Sequence, residues 1–171
     1  KSFGAEVPFL RDKSLADDFT GTFAVVKDAY LKLKNFFSSL DTVCCIYATA
    51  PLLKAKHLQE AYNLMQNAQA KSVISICEFP FPIQRAFVKD DNGNLSYREP
   101  KYAPMRSQDL QKCYQDCGLF YFYDKSCFED AKGHLSIGYE MPRHRVIDID
   151  TPEDWDYACA MAKAVEALKL D

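Results

Sequence analysis

RVIDIDTPEDW, residues 145–155, is the stretch of sequence that decides the fold and indicates the chemistry of this chain. The apolar, β-branched residues around Asp148 and Asp150 favour a β-strand. Alternate residues of a strand point to the same face, so the two carboxylates are expected side by side. Two carboxylates this close repel each other. Mg²⁺ relieves that repulsion, because it commonly binds one or two protein carboxylates together with water and phosphate oxygens. The pattern alone leaves two interpretations open: a Mg²⁺ site, or a helix cap at Asp150 next to a solvated charge at Asp148.

The second half of this run is typical of a helix N-terminus. Thr151 is a good N-cap residue, Pro152 fits the first helical position, and Glu153 and Asp154 complement the positive end of the helix dipole. The two aspartates therefore fall at the carboxyl end of a predicted strand, where open α/β sheets bind ligands.

Upstream of this run, apolar segments alternate with helical stripes along most of the chain. A continuous apolar run is typical of a buried strand, and apolar residues three and four apart are typical of a helix. The predicted strands cover residues 5–10, 42–48, 72–79, 119–123, 135–141 and the aspartate run, and the predicted helices cover residues 23–33, 58–68, 108–115, 126–131 and 157–168. This order predicts an α/β fold with a Rossmann-like, three-layer, mostly parallel sheet.

One segment departs from the alternation. The sequence DDNGN at residues 90–94 is flanked by strand-forming residues, which predicts a β-hairpin with strands at residues 86–89 and 95–98 and an Asn-Gly turn. We expect residues 1–171 to form a single domain and residues 80–104 to form an inserted arm that makes dimer contacts. A plain surface hairpin is the alternative.

Composition indicates a folded protein of ordinary type. The chain has 171 residues, of which 48% are hydrophobic and 26% are charged, which is enough for one domain with a sizeable core. The net charge of −3 offers no basic surface for nucleic acid, and no run of about 18 apolar residues is present to span a membrane. Nucleic-acid and membrane partners are therefore not expected.

The cysteines and histidines do not form a recognisable metal or disulfide pattern. The seven cysteines are odd in number and contain no Cys-x-x-Cys motif, which favours reduced thiols in a cytoplasmic protein. His57, His134 and His144 are scattered along the sequence, so each is expected to be a surface or core residue and not a metal ligand.

Several further segments occur in a specific order along nearly the whole chain. They are GAEVPFLR (4–11), LADDFTGT (15–22), YATAPL (47–52), FPFPIQRA (79–86), RSQDL (106–110), GLFY (118–121) and RHR (143–145), which leads into the aspartate run. Together they resemble the acylneuraminate cytidylyltransferases, also known as CMP-sialic acid synthetases. The form YATAP is most similar to the branch that acts on pseudaminic acid.

The resemblance implies a nucleotide-diphospho-sugar transferase-like fold and a nucleotidyltransferase activity. The implied reaction transfers CMP from CTP to the anomeric hydroxyl of a nonulosonic acid, a nine-carbon acidic sugar such as pseudaminic or sialic acid, and releases pyrophosphate. It also implies a homodimer and a Mg²⁺ cofactor held by Asp148 and Asp150, with Asp150 helping to deprotonate the attacking hydroxyl. These implications favour the Mg²⁺ site over the helix cap.

Other roles follow residue by residue from the matching segments. The resemblance places Arg11 and Thr22 at the nucleotide, where an arginine can donate two hydrogen bonds to cytosine. It places the sugar near a set of polar and aromatic side chains, namely Tyr47, Gln84, Arg85, Arg106, Gln108 and Tyr121. The alternatives are a surface cation for Arg11, a helix N-cap for Thr22 and core packing for Tyr121. Asp18 is expected to order its turn without contacting substrate.

One family feature has no counterpart in the sequence. The family opens with a strand and a Gly-rich, basic segment that holds the triphosphate, whereas this chain contains 6 glycines and no Gly-Gly pair. We therefore expect a chain that is truncated at its N-terminus, binds triphosphate poorly and is inactive on its own. Two other functions stay open from the sequence: a nucleotide-sugar glycosyltransferase with an Asp-x-Asp metal site, and a non-catalytic remnant of the fold. The stereochemistry of the sugar is also open.

Overall fold

A four-stranded sheet forms the centre of the computed structural model, which describes residues 2–130 and 135–170. The strands of this sheet are β1 (Thr42–Ile46), β2 (Ser72–Glu78), β5 (Tyr114–Asp124) and β6 (Ser136–Glu140), and a separate pair is formed by β3 (Phe87–Lys89) and β4 (Leu95–Tyr97). The helices are α1 (Thr22–Leu33), α2 (Ala55–Asn67), the short α3 (Ser126–Glu129) and α4 (Pro152–Ala167).

The sheet has the strand order β1-β5-β2-β6. β5 pairs antiparallel with both β1 and β2, and β6 pairs parallel with β2. Three of the four strands therefore run in one direction, with β5 inserted between them in the opposite direction. This mixed α/β sheet agrees with the predicted fold class.

Helices cover both faces of this sheet, because alternate residues of each strand point to opposite sides. Val43 and Cys45 of β1 pack on one face against a cluster that contains Tyr30 of α1 and Phe128 of α3. Cys44 packs on the other face against the main core, to which α2 contributes. The main core is built from residues of α2, β2, β5 and the end of β6: Ala61, Met65, Ala70, Val73, Cys77, Cys117, Leu119, Phe120, Phe122 and Met141. The three-layer arrangement is thus present.

The inserted hairpin also has its expected form. β3 and β4 pair through Phe87↔Tyr97 and Lys89↔Leu95, and Gly93 takes a positive φ of +87° in the turn. Asp90 stabilises this turn by accepting a hydrogen bond from the backbone N–H of Asn92 at 3.0 Å.

Three predicted elements are wrong. Residues 5–10 form no strand, since Pro8 lacks a donor N–H and Val7 and Leu10 lie 44% and 84% exposed instead of in a sheet. Residues 108–115 do not form an α-helix. A short 3-10 turn spans Ser107–Asp109, and β5 already begins at Tyr114.

The third error concerns the aspartate run itself. Residues 146–149 follow a 3-10 turn at Arg143–Arg145 and pair with no strand in the described part of the chain. The 3-10 turn separates these residues from β6, so they do not continue its ladder with β2. For the helix predicted at residues 126–131, α3 covers the first part, and Ala131 and His134 lie outside the described residues.

Candidate active site

A cleft of about 390 Å³ lies at the carboxyl end of β1. It is lined by Arg11, Thr20, Thr22, Val25, Val26, Cys45, Ile46, Tyr47, Ala48 and Thr49. Three of the predicted site residues, Arg11, Thr22 and Tyr47, therefore meet at one cavity although they are far apart in sequence. Arg11 is exposed at the cleft, so its guanidinium is available to a ligand.

Thr22 is not the N-cap of α1. Gly21 occupies that position, and no side chain caps the helix. The Thr22 hydroxyl instead makes a hydrogen bond with the phenol hydroxyl of Tyr47. Both groups are therefore held at the cleft wall by the start of α1 and the end of β1.

The loop that leads into α1 is ordered by Asp17. Its Oδ1 accepts hydrogen bonds from the backbone N–H groups of Phe19 at 2.8 Å and Thr20 at 2.6 Å, and these bonds lower the pKa of the carboxyl. The predicted residue, Asp18, is exposed and does not make these bonds. The Asp17 turn brings Thr20 to the cleft.

Tyr121 adjoins the cleft through Tyr47, with the two ring centroids 5.6 Å apart. Its hydroxyl donates to both carboxylate oxygens of Asp116 at 2.9 Å. Asp116 was not predicted from the sequence. Gly118, two residues later inside a strand, was the available signal, because an isolated glycine in a strand often marks a bulge.

Gln84 and Arg85 belong to a second region, around the proline-rich segment that precedes β3. Gln84 is buried, and its Nε2 donates to the backbone oxygen of Gln111 at 2.8 Å and contacts Cys113 Sγ at 3.2 Å. Arg85 lines a separate cleft of about 400 Å³ and donates to Ser107 Oγ at 3.3 Å. Gln84 therefore braces this segment, whereas Arg85 is open to a ligand.

Arg106 and Gln108 lie in the 3-10 turn next to this second region. The guanidinium of Arg106 forms a two-point contact with Asp109, with Nε–Oδ2 at 2.7 Å and Nη2–Oδ1 at 3.1 Å. Gln108 is exposed and lines a smaller cleft. The predicted sugar residues are thus divided between two places, with Tyr47 and Tyr121 in one and the remaining four in the other.

The aspartate run is held by its apolar members. Ile147 packs with Leu52, which follows β1, and with Ala158 of α4. Asp148 and Asp150 are exposed, and their carboxylates make no hydrogen bond or ion pair with residues 2–130 or 135–170. Both carboxylates are therefore free to bind a ligand.

The helix cap next to the aspartates is made by other residues. Thr151 is the N-cap of α4, and its hydroxyl accepts the backbone N–H of Asp154 at 3.2 Å. The Asp154 carboxylate accepts the Thr151 hydroxyl at 2.7 Å and the backbone N–H groups of Asp150 at 3.1 Å and Thr151 at 2.8 Å, and these contacts lower its pKa. The side chain of Asp150 is not used in this capping box.

The donor set fits a Mg²⁺ ion better than a transition metal. Over the described ranges, no group of three or more His, Cys, Asp and Glu side chains is placed to hold a metal ion. Asp148 and Asp150 thus offer two carboxylates and no nitrogen or sulfur ligand, which is the set that Mg²⁺ uses when phosphates and water complete its shell.

Arg145 anchors the start of the aspartate run. It is 2% exposed, and it donates from Nη1 to the backbone oxygen of Leu52 at 2.9 Å and from Nη2 to that of Leu170 at 2.6 Å. This clamp ties the loop after β1 to the end of α4, three residues ahead of Asp148. Arg145 is therefore a buried anchor, whereas Arg143, in the same turn, is exposed.

Comparisons with known proteins show the family of this chain. The chain is 41% identical, over 165 residues, to a pseudaminic acid cytidylyltransferase of Campylobacter jejuni subsp. jejuni serotype O:2, covering 94% of this chain and 71% of that protein. The chain belongs to the pseudaminic acid cytidylyltransferase family. No protein-family model matches it. A more distant relative within the wider family is an N-acylneuraminate cytidylyltransferase of Escherichia coli O18:K1:H7, at 24% identity over all of this chain and 40% of that protein.

A solved structure shares the fold. The 4-diphosphocytidyl-2C-methyl-D-erythritol synthase of Anaerococcus prevotii superposes with a TM-score of 0.50 at 14% identity, over 79% of this chain and 64% of that one. Its likeness supports the nucleotidyltransferase fold alone. Within the described part of the chain, no helix is both long and apolar enough to cross a membrane.

Proposed function

We propose that this protein is a Mg²⁺-dependent cytidylyltransferase that transfers CMP from CTP to a nonulosonic acid, with pseudaminic acid as the preferred sugar. The observation that carries the proposal is the 41% identity, across 94% of the chain, to a pseudaminic acid cytidylyltransferase. The free aspartate pair and the cleft at β1 support it from the structure.

In the proposed reaction the anomeric oxygen of the sugar attacks the α-phosphorus of CTP. The bond from that phosphorus to the β-phosphate oxygen breaks, pyrophosphate leaves, and the hydroxyl proton passes to a base. Little covalent chemistry falls to the protein, so positioning and charge neutralisation supply most of the acceleration.

The cleft at β1 provides the groups for this positioning. The exposed guanidinium of Arg11 can donate two parallel hydrogen bonds to cytosine, and Thr22 offers a hydroxyl beside it. Tyr47 and Tyr121 form an aromatic wall suited to the sugar. The nucleotide and sugar would thus lie along one groove.

Asp148 and Asp150 would hold the metal in this proposal. Mg²⁺, when bound, supplies charge neutralisation of the phosphates and polarises the α-phosphate. Asp150 also takes the proton of the anomeric hydroxyl. No described side chain occupies either carboxylate, so neither has to be released from a protein partner before it can act.

In this proposal the second region binds the sugar carboxylate, and the hairpin arm next to it forms the dimer interface. Arg85 carries a planar guanidinium that can bind a carboxylate in a two-point contact, Arg106 can do so when it exchanges Asp109 for the sugar, and Gln108 adds a polar group next to them. The hairpin arm of β3 and β4 would contact a second subunit and complete a homodimer. The seven cysteines are all free thiols, which supports a cytoplasmic location.

The aspartate assignment is tested by Asp148→Asn and Asp150→Asn in protein expressed from its complete reading frame. Asparagine keeps the side-chain shape but removes one negative charge, so each variant should lose about 10- to 150-fold in turnover, since an interaction with a charged group is worth about 1.5–3 kcal/mol. Pyrophosphate release is measured with CTP, Mg²⁺ and pseudaminic or sialic acid, beside a thermal melt.

Asp156→Asn is the matched control, because it removes an exposed charge one turn further along α4. It should keep wild-type turnover and the same melting temperature as the other two variants. Turnover within a few-fold of wild type for both site variants would remove the metal assignment. Release of a nucleotide from a nucleotide-sugar donor, with no pyrophosphate from CTP, would instead indicate a glycosyltransferase.

A further inference from the structure

β5 departs from its ladder with β2 next to the β1 cleft. Ile74 faces Tyr121 and Ile76 faces Asp116, so a step of two residues on β2 matches a step of five residues on β5. A bulge of this size leaves backbone groups without ladder partners, and such bulges often lie next to functional sites, where they redirect side chains.

The bulge is stabilised by specific side chains. Ser75, which is fully buried, accepts hydrogen bonds at Oγ from the backbone N–H groups of Leu119 at 3.3 Å and Phe120 at 3.1 Å. Asp116 Oδ1 accepts the N–H of Gly118 at 2.9 Å, and Gly118 has a positive φ of +59°. Specific hydrogen bonds therefore stabilise the bulge, and it is not a frayed part of the strand.

The same aspartate controls the phenol of Tyr121. A carboxylate only accepts hydrogen bonds, so Tyr121, at 2.9 Å from both oxygens, must donate its proton to Asp116. Burial and the Asp116 carboxylate both raise the pKa of Tyr121, so the phenol keeps this proton. The lone pairs of its oxygen then point away from Asp116.

Tyr121 in turn supports Tyr47 at the cleft. The two rings pack with centroids 5.6 Å apart, Tyr47 bonds to Thr22, and the ring of Tyr47 lies over Gly118. The orientation of Tyr47 therefore depends on the bulge and on Tyr121, and both of these depend on Asp116.

We propose that Asp116 is a positioning residue that fixes the Tyr121 hydroxyl as a hydrogen-bond acceptor, holds Tyr47 through it, and thereby determines which acidic sugar the site accepts. This inference rests on the proposed function. A fixed acceptor favours a sugar that places a hydroxyl or amide N–H donor opposite it, and it disfavours an epimer that does not.

The test is a double-mutant cycle of Asp116→Ala and Tyr121→Phe, with pyrophosphate release as the assay and two epimeric nonulosonic acids as substrates. Asp116→Ala should raise the KM for the preferred sugar about 10-fold or more and reduce discrimination between the epimers, since a hydrogen bond to a charged group is worth about 1.5–3 kcal/mol. The KM for CTP should stay within about two-fold. Because Asp116 acts through the phenol, the double variant should be no worse than Tyr121→Phe alone.

Two further variants separate positioning from stability. Asp116→Asn keeps an acceptor for the backbone N–H of Gly118, but its amide can also donate to the phenol, so it should support the bulge and still lose the discrimination. Asp124→Ala is the matched control, because Asp124 also accepts a backbone N–H two residues ahead, that of Ser126 at 3.0 Å, at the far end of the same strand. It should lower the melting temperature to a similar extent but leave the discrimination unchanged.

The outcomes distinguish the two proposals. Wild-type protein that turns over no nonulosonic acid overturns the proposed function, and this inference falls with it. Two other outcomes overturn only the role of Asp116 and require that the wild type is active. In the first, the effects of Asp116→Ala and Tyr121→Phe multiply in the double variant. In the second, Asp116→Ala changes the KM for CTP as much as the KM for the sugar.

Discussion

At the scale of single residues, two buried basic side chains are accommodated in different ways. The guanidinium of Arg145 donates hydrogen bonds to two backbone oxygens, and one of these oxygens lies at the negative, C-terminal end of α4. His57, 2% exposed, has its Nδ1 3.1 Å from the hydroxyl of Tyr139, which donates its own proton to Glu60 at 2.5 Å. Nδ1 is therefore the donor to Tyr139, and burial, which lowers the pKa of His57, favours the neutral form of the ring.

This neutral state makes stability depend on pH. Burial, then the nearby cations Arg145, Lys56 and Lys54, lower the pKa of His57 below its ordinary value of 6.5, while Glu60 partly opposes them. Between these two pKa values the unfolded chain binds more protons, so stability rises with pH there. The contribution of His57 is fully present above pH 6.5 and is lost as the pH falls towards the lowered pKa.

We expect the free energy of unfolding, measured with urea at pH 7.5, 6.5 and 5.5, to fall over the last interval. His57→Gln should flatten that dependence, because glutamine does not titrate. Glu60→Gln is the control: it removes the group that raises the pKa of His57, so the pH dependence should remain or grow. An unchanged pH profile in His57→Gln would contradict this account.

At the scale of elements, β5 shows what sequence could and could not reveal. Its apolar half, residues 119–123, was predicted from the continuous apolar run. Its first half carries polar residues such as Gln115 and Asp116, and only pairing with β2 makes it a strand. The bulge between the halves depends on Ser75, about 40 residues away in sequence. Local patterns do not contain such a contact.

Glycine at position 118 is required by this bulge. A Cβ at Gly118 would find its nearest atoms, on the ring of Tyr47, at 3.9 Å, so space permits a side chain and the cost is conformational. Gly118→Ala should destabilise the protein by about 1 kcal/mol because of its positive φ. Gly118→Asn should cost less, since asparagine tolerates this conformation. If Gly118→Ala had a higher denaturation midpoint than Gly118→Asn, the positive φ at residue 118 would not be the source of the destabilisation.

The same distinction explains which parts of the candidate site were predictable. The strands at residues 42–46, 72–78 and 136–140 were predicted because their apolar patterns are local. Residues 5–10 and 146–149 have strand-forming sequences but no neighbour to pair with, and sequence does not supply a neighbour. The resemblance assigned Arg11 and Thr22 to the nucleotide and Tyr47 to the sugar, but their meeting at one cleft, like the contacts of Asp116, is visible only in three dimensions.

At the scale of the whole molecule, the hairpin arm forms a two-stranded sheet of its own, separate from the central sheet. Two-stranded hairpins are marginal in water by themselves. Phe87 and Leu95 are 54% and 63% exposed, and they lie on one face of the arm, because Phe87 pairs with Tyr97 and Lys89 with Leu95. Tyr97 and Lys89 share that face, so it presents exposed apolar area beside one cation, which is suited to a second copy of the chain.

We therefore expect the double variant Phe87→Lys and Leu95→Lys to sediment as a monomer and the wild type as a dimer. Charges on this face would have to be buried without partners in the dimer. Val88→Lys with Ser96→Lys is the control on the opposite face and should stay dimeric. A wild-type monomer, or a dimer that survives the first pair of changes, would exclude the arm as the dimer interface.

The Arg145 clamp limits how this site can be reused in protein engineering. The aspartate run is a short contiguous segment that could be moved into another protein. Its hydrogen-bond anchors, however, are Leu52, 93 positions before Arg145, and Leu170, 25 positions after it. Grafting the run onto another scaffold would transfer the carboxylates without the contacts that hold the run in place. A chimera has to exchange the loop after β1 and the end of α4 together with it.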